Sequence, residues 1–278
     1  MSDTALVTIL RDAAAVELRS DGRYDVNLSQ AYTVVGRPNG GYLQCVMANA
    51  AIAAAAAAGG PHLHATAVTT NYIGAPNVGA AQLEVDVRRI GRGASFIHVA
   101  LYQNDVITTE SLVTLGSLSE DSHLRYHDAQ PPRVPALDDC VRSQQPANGD
   151  VNIMSVTDLR LDPACVLWTQ GQVSDRAEVQ GWIRLDDGAS IWDAWSVLFA
   201  SDALPPATFP VGSSGWVPTL QLSSYVRSIP ASEWLRVRQW CVVIEDGLVD
   251  ERCELFDDRD RLVASSSQLA MVRFPAGL

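Results

Sequence analysis

The chain is one layout written twice, and that constrains its fold more than any single motif. In the first half, strand-like stretches at 15–18 and 24–28 precede the turn Pro38-Asn39-Gly40-Gly41. A run of strong helix formers follows from 42 to about 57, and Gly59-Gly60-Pro61 stops it. Four β-rich stretches come next, at 64–73, 82–90, 95–103 and 106–118, and their spacing predicts an antiparallel meander. The second half repeats this order. Strand-like stretches at 152–161 and 178–185 lead to a helix predicted from about 190 to 204, ended by Pro205-Pro206. Strands are then predicted at 216–229, 234–245, 248–256 and 261–273. The polar, proline-containing stretch 119–150 reads as a connector, leaving units at 1–118 and 151–278.

An offset of 153 lays Tyr72 on Tyr225, Thr66 on Thr219 and residues 46–51 on 199–204. On the last strand the offset drifts to 156, placing 106–112 against 262–268. A helix with an apolar stripe must bury it, and a curved antiparallel sheet can wrap it. The expected class is therefore α+β, with two fused units whose sheets extend each other and remove an exposed edge.

Composition excludes several chemistries. Lys is absent and all 20 basic residues are Arg, so Schiff bases, a P-loop lysine and Ser-Lys dyads are ruled out. The histidines (His62, His64, His98, His123 and His127) all precede the second unit, while all seven Trp lie after them. A net charge of −12 argues against nucleic acid as a partner. The five cysteines are odd in number and form no CxxC, which fits free thiols in a reducing, cytoplasmic setting. Residues 1–21 lack the layout of a signal peptide, and the apolar stretch 50–58 is too short for a membrane span.

With the halves in register, their differences become informative. Asn49 falls opposite Asp202, Thr66 opposite Thr219 and Leu112 opposite Gln268, so only the second copy has a polar trio with a base. Asp202 continues a stripe through Ile191, Trp195 and Leu198, where burial would raise its pKa towards the range of a general base. Each position also has a plainer reading. Asp202 could be a solvated helix-end residue, Thr219 a β-former, and Gln268 an exposed strand amide. Gly40-Gly41 could present backbone N–H groups to a carbonyl or an anion, or could simply turn into the helix. Arg88, Arg89, Arg92, Arg227, Arg236 and Arg238 are candidates for phosphate contacts or solvated edges. GSSGW at 212–216 fails the nucleophile-elbow pattern, His62-Leu63-His64 lacks a metal-site carboxylate, and no GxGxxG follows a strand.

Four pieces of the chain resemble the acyl-CoA thioesterase II family. They are NGGYL at 39–43, FASDAL at 199–204, WVPTLQLSSYVR at 216–227 and DDRDRLVASSSQLAMVR at 257–273. The resemblance covers nearly the whole chain and is weakest in the connector. It implies a double hotdog fold and a cofactor-free hydrolase that splits fatty acyl-CoA into free acid and CoA. It also implies that an Asp, a Ser/Thr and a Gln hold and activate a water, which carries over to Asp202, Thr219 and Gln268. The family often follows its Ser/Thr with a hydrophobic residue and Asp-His, whereas here Leu220 is followed by Gln221-Leu222, which bears on acyl preference. The candidate oxyanion donors are the Gly40 and Gly41 amides. The expected partner is acyl-CoA, and fused units are compatible with a homo-oligomer. A non-catalytic acyl-CoA-binding protein is the alternative, and Asp/His hydration or dehydration fits less well because the second half has no His. On this reading the second copy is catalytic and the first is scaffold.

Overall fold

The computed structural model describes residues 9–119, 124–146, 150–189 and 191–275. The first unit contains α1 (Leu10–Ala13), β1 (Glu17–Leu18), β2 (Tyr24–Leu28), β3 (Thr33–Val34), β4 (Arg37–Pro38) and α2 (Gly40–Ala57). It continues with β5 (His64–Tyr72), β6 (Gly79–Ile90), β7 (Ser95–Gln103) and β8 (Val106–Gly116). After β9 (Val141–Arg142), the second unit contains β10 (Thr157–Leu161), β11 (Glu178–Leu185) and α3 (Val197–Ala200). Strands β12 (Thr219–Val226), β13 (Leu235–Glu245), β14 (Leu248–Phe256) and β15 (Leu262–Met271) complete it.

Thirteen of these strands form one sheet in the order β1-β2-β6-β7-β8-β5-β12-β15-β14-β13-β11-β10-β9, and β3 pairs with β4 in a separate hairpin. Read outward from the centre, the two halves have the same order, so the duplication is real. The predicted four-stranded meander is only three strands long in each half. Strands β5 and β12 lie beside the last strand of their own meander, not the next one. That placement leaves one edge of β5 free to pair with β12, from Gln221 opposite Asn71 to Tyr225 opposite Ala67. The two sheets therefore become one and neither central edge is exposed. The connector is not free of the units. β9 pairs with β10, and the Trp182 indole donates to the Pro135 carbonyl at 3.0 Å.

Helix α2 lies against the inner face of this sheet. Asn39 caps it, its side-chain oxygen accepting the Tyr42 N–H at 3.0 Å. Leu43, Val46, Met47, Ala50 and Ala51 are all buried. By length and composition alone α2 could cross a bilayer, but most of it is enclosed by the sheet. Gly41 lets α3 approach closely, since a Cβ there would meet the Leu198 and Phe199 carbonyls, and the Trp195 indole donates to the Cys45 carbonyl at 2.9 Å.

The second helix is much shorter than predicted. It spans Val197–Ala200 with irregular turns on either side, and Ser190 lies outside the described residues, as do residues 1–8 of the N-terminal stretch. An Asp193–Ser196 capping box organises the turn that leads into it: Asp193 accepts the N–H groups of Trp195 and Ser196, and the Ser196 hydroxyl accepts the Asp193 N–H at 2.8 Å. Ile191 falls before this cap and is 75% exposed, so it is not part of the apolar stripe; Trp195 and Leu198 are buried.

The offset of 153 also needs correction. In β5, Val68 and Thr70 face inward, whereas in β12 the inward residues are Leu222, Ser224 and Val226. An odd offset exchanges the two faces of a strand. Tyr225 is accordingly 48% exposed while Tyr72 turns in to bond Gly40. The offset of 156 on the last strand fails as well: Leu112 is 62% exposed on the outer face, and the inward residue that matches Gln268, opposite Leu222, is Ser111, opposite Thr70. Thr66 and Thr219 do not match either. Thr66 sits within a bulge of β5, whereas Thr219 lies just before one in β12. One inward row of the first unit is Thr70, Ser111 and Val99; in the second, Leu222, Gln268 and Glu251 form such a row. The contrast between copies survives, but with different residues.

Replacing Asp193 with Ala removes the acceptor for two N–H groups in the turn that leads into α3. The expected cost is about 1 kcal/mol in chemical denaturation, and an unchanged midpoint would contradict the capping role.

Candidate active site

A cavity of about 1080 Å³ opens between the two units. Leu43, Ile153, Met154, Leu159, Val166 and Phe209 line its apolar part. Asp202, Thr219 and Gln268 all line it, so the structure brings the predicted trio to one place. Gly40, Tyr72 and Glu251 line it too, whereas Gly41 does not.

Asp202 follows α3 and is aimed at the N-terminus of α2, in the other unit. Its Oδ2 accepts the Gly41 N–H at 2.9 Å and the Asn39 Nδ2 at 3.1 Å, and its backbone carbonyl accepts Asn39 Nδ2 at 2.8 Å. Both side-chain bonds fall on Oδ2, which leaves Oδ1 for a ligand or a water. Burial pushes the carboxyl up to about 7; the Gly41 amide, Asn39 and the Gly40 amide oppose the rise, and the nearby Glu251 charge adds to it. The positive end of α2 is thus occupied by a carboxylate of the protein itself.

This changes the reading of Gly40 and Gly41. The Gly41 amide donates to Asp202 and so is not a free donor for a substrate oxyanion, and the Gly40 amide favours the charge on the same carboxylate. The glycines are needed for a second reason. A Cβ at Gly40 would lie 2.7 Å from the Tyr72 hydroxyl and 2.8 Å from Asp202 Oδ2. A Cβ at Gly41 would lie 2.7 Å from the Leu198 carbonyl and 2.9 Å from that of Phe199. The first unit therefore supplies part of the site and is not merely scaffold. Its own counterpart of Asp202, Asn49, donates to the Ala14 carbonyl at 2.9 Å in a structural bond.

Thr219 and Gln268 are linked to each other. The Thr219 hydroxyl donates to Gln268 Oε1 at 2.8 Å, and Gln268 Nε2 donates to Glu251 Oε2 at 2.6 Å. Glu251 is only 1% exposed. Its Oε1 accepts the Ala207 N–H at 2.8 Å, and Gln239 Nε2 lies 3.4 Å from Oε2. Burial raises its proton affinity above the ordinary carboxylate range, while the donors from Ala207, Gln268, Cys241 and Gln239 pull it back. The sequence carried a signal for this residue. Val249, Glu251, Cys253 and Leu255 are the inward positions of β14, so Glu251 is the one charge on an apolar face of period two.

Other candidates fall away from the cavity. None of the six arginines singled out from the sequence lines it; Arg37 and Arg142 do. Arg88 pairs with Asp86, Arg236 with Asp260 and Arg238 with Glu178. His62 bonds Ser95 and His64 accepts the Leu118 N–H, as befits structural residues. Gln221 turns away to bond Ser223, and neither Gln221 nor Leu222 lines the cavity, although Leu220 does. Among the described residues, no cluster of three or more His, Cys, Asp or Glu side chains is arranged to hold a metal ion.

The raised Asp202 pKa has a sign that can be tested. The folded state holds this proton more tightly than the unfolded chain, whose carboxyl titrates at about 3.8. Its contribution favours folding at low pH and is lost as pH rises through about 7. Asp202→Asn keeps an acceptor for the Gly41 N–H and removes the buried charge. The variant is expected to gain stability relative to the parent as pH rises from 4 to 8, with the gap levelling off above about 7. A gap independent of pH in paired thermal melts would contradict the shift.

Comparisons with known proteins agree with this architecture. Residues 28–116 match the family described as the acyl-CoA thioesterase N-terminal domain, and residues 137–272 match the acyl-CoA thioesterase C-terminal domain. An uncharacterized protein of Mycobacterium tuberculosis is 30% identical over 274 residues, covering 90% of each chain. A crystal structure from Thermobifida fusca, assigned as a thioesterase II, superposes with a TM-score of 0.86 at 29% identity, covering 96% of this chain and 98% of that one. A protein with a hotdog fold from Alicyclobacillus acidocaldarius superposes with a TM-score of 0.79 at 19% identity, covering 96% of this chain and 98% of that one, which speaks to the fold alone. Matched in both halves and along nearly its full length, the chain belongs to the acyl-CoA thioesterase II family and has the double hotdog fold.

Proposed function

We propose that the protein hydrolyses thioesters, with fatty acyl-CoA as the substrate class, and that Asp202 is the general base. The observation that carries this reading is the Asp202 carboxylate itself. It lines a cavity with many apolar residues, its Oδ2 is held by the Gly41 amide and Asn39, and burial pushes it up to about 7, where a base is both ionised and able to take a proton. Family membership supports the reaction type.

In this mechanism the acyl chain lies along the apolar residues and the thioester carbonyl sits beside Asp202. A water bound at Oδ1 attacks the carbonyl carbon and gives its proton to Asp202. The C–S bond then breaks, and the electron pair leaves with sulfur. A thiolate is a good leaving group, so no strong acid is needed, which suits a site without Lys or His. The proton on Asp202 passes to the released thiolate or to solvent. Thr219, held by Gln268, offers a second polar contact for the water.

Two measurements test this. Asp202→Asn is expected to lower kcat for thiol release by about 10²- to 10⁴-fold while the protein remains folded. The parent enzyme's kcat/KM is expected to rise with pH and reach half its plateau near 7. A panel of acyl-CoA chain lengths with no turnover, or an Asp202→Asn variant with full turnover, would defeat the assignment. Binding of acyl-CoA without any thiol release would favour a non-catalytic module instead.

A further inference from the structure

Glu251 has no role in the mechanism above, yet it is the most enclosed charged group at the cavity. We propose that Glu251 is a positioning residue that fixes the polarity of the Glu251–Gln268–Thr219 hydrogen-bond chain and so aims the attacking water. The inference rests on the hydrolase reading given above.

The argument starts from the two ends of a glutamine amide. One end only donates and the other only accepts, so Gln268 has two orientations of opposite polarity. Gln268 lies directly opposite Glu251 across the β14–β15 pair. One Glu251 oxygen is committed to the Ala207 N–H, and donors from Gln239 and Cys241 also face the carboxylate. A carboxylate ringed by donors acts as an acceptor, so Gln268 must turn its Nε2 towards it, as the 2.6 Å contact shows. The Gln268 oxygen is then forced towards Thr219, whose hydroxyl can only donate to it, at 2.8 Å.

The consequence falls on the cavity. With its single proton used, the Thr219 oxygen presents only lone pairs. A water between Thr219 and Asp202 would give one proton to each oxygen and keep its own lone pair for the carbonyl carbon. In the flipped arrangement Gln268 would donate to Thr219. The Thr219 proton would then point at the water, occupying one of its two lone pairs and turning it out of the pose in which both protons are held and the oxygen faces the carbonyl carbon. Glu251 selects the first arrangement from a distance, without touching the reacting atoms.

Glu251→Gln is the direct test because it should invert the chain. The new side chain must still accept the Ala207 N–H with its oxygen, which leaves its NH₂ facing Gln268. Gln268 would flip to accept from it, and Thr219 would become a donor to the cavity. We expect kcat to fall by about 10-fold or more, with KM nearly unchanged and the melting temperature not lowered. In a Thr219→Val background the same change should cost less than about threefold, since the chain no longer ends on a hydroxyl. Glu251→Asp, which keeps the charge but withdraws it from Gln268, is a second variant and should also lower kcat. The side-chain amide signals of ¹⁵N-labelled Gln268 give a readout independent of turnover, and they should shift in Glu251→Gln. Parental kcat in Glu251→Gln, an equal loss with and without the Thr219 hydroxyl, or unmoved Gln268 amide signals would each overturn the proposal. A shifted amide in a protein that splits no thioester would instead count against the hydrolase reading and leave the polarity of the chain standing.

Discussion

The contact between the Asp202 carboxylate and the N-terminus of α2 is the constraint on which the site depends. It joins a turn of one unit to a helix of the other, through the Gly41 amide at 2.9 Å and the Asn39 side chain at 3.1 Å. A carboxylate placed there feels two opposed effects. Loss of water favours the protonated form, while the amides and the helix dipole favour the charged one. The balance leaves the group near 7, so it can serve as a base at neutral pH without histidine. The same contact explains why two glycines open α2, since a side chain at either would displace the carboxylate or the backbone packed behind it.

Fusion of the two units has a physical purpose in this arrangement. The β5–β12 pairing makes one sheet from two and holds both helices on its inner face. Asp202 comes from one unit, and its partners Asn39 and Gly41 come from the other. A fused chain lets the units diverge, so one cavity can be equipped while the corresponding positions elsewhere become structural. Asn49, bonded to the Ala14 carbonyl, and Val99, buried opposite Ser111, show the outcome in the first unit. The row of Leu222, Gln268 and Glu251 shows it in the second.

Much of this was legible from the sequence because it depends on local rules. Strong helix formers between a capped turn and Gly-Gly-Pro define α2, and alternation defines strands such as β7, β11 and β14, whose observed limits match the expected ones. Asp202, Thr219 and Gln268 were also found, and all three line the cavity. What was missed depends on residues far apart in the chain. An offset of 153 aligned similar letters but exchanged strand faces, whereas the bulges at Thr66 in β5 and Leu220 in β12 lie 154 residues apart and mark an even offset that keeps the faces. The residues just before α3 form a turn held by the Asp193–Ser196 bonds, whereas apolar spacing alone extended the helix back to Ser190. Gly41 looked free to bind a substrate because the group that occupies its amide lies 161 residues away. Glu251 was overlooked although its place on the apolar face of β14 was visible by alternation.

The central claim is that the cross-unit contact makes Asp202 a base at neutral pH. Carbon-13 labelling of aspartate carboxyls, with a pH titration followed by NMR, measures this directly. The account predicts one carboxyl signal that titrates near 7 and is missing from Asp202→Asn. An Asp202 signal that titrates at the ordinary value of about 3.8 would contradict it.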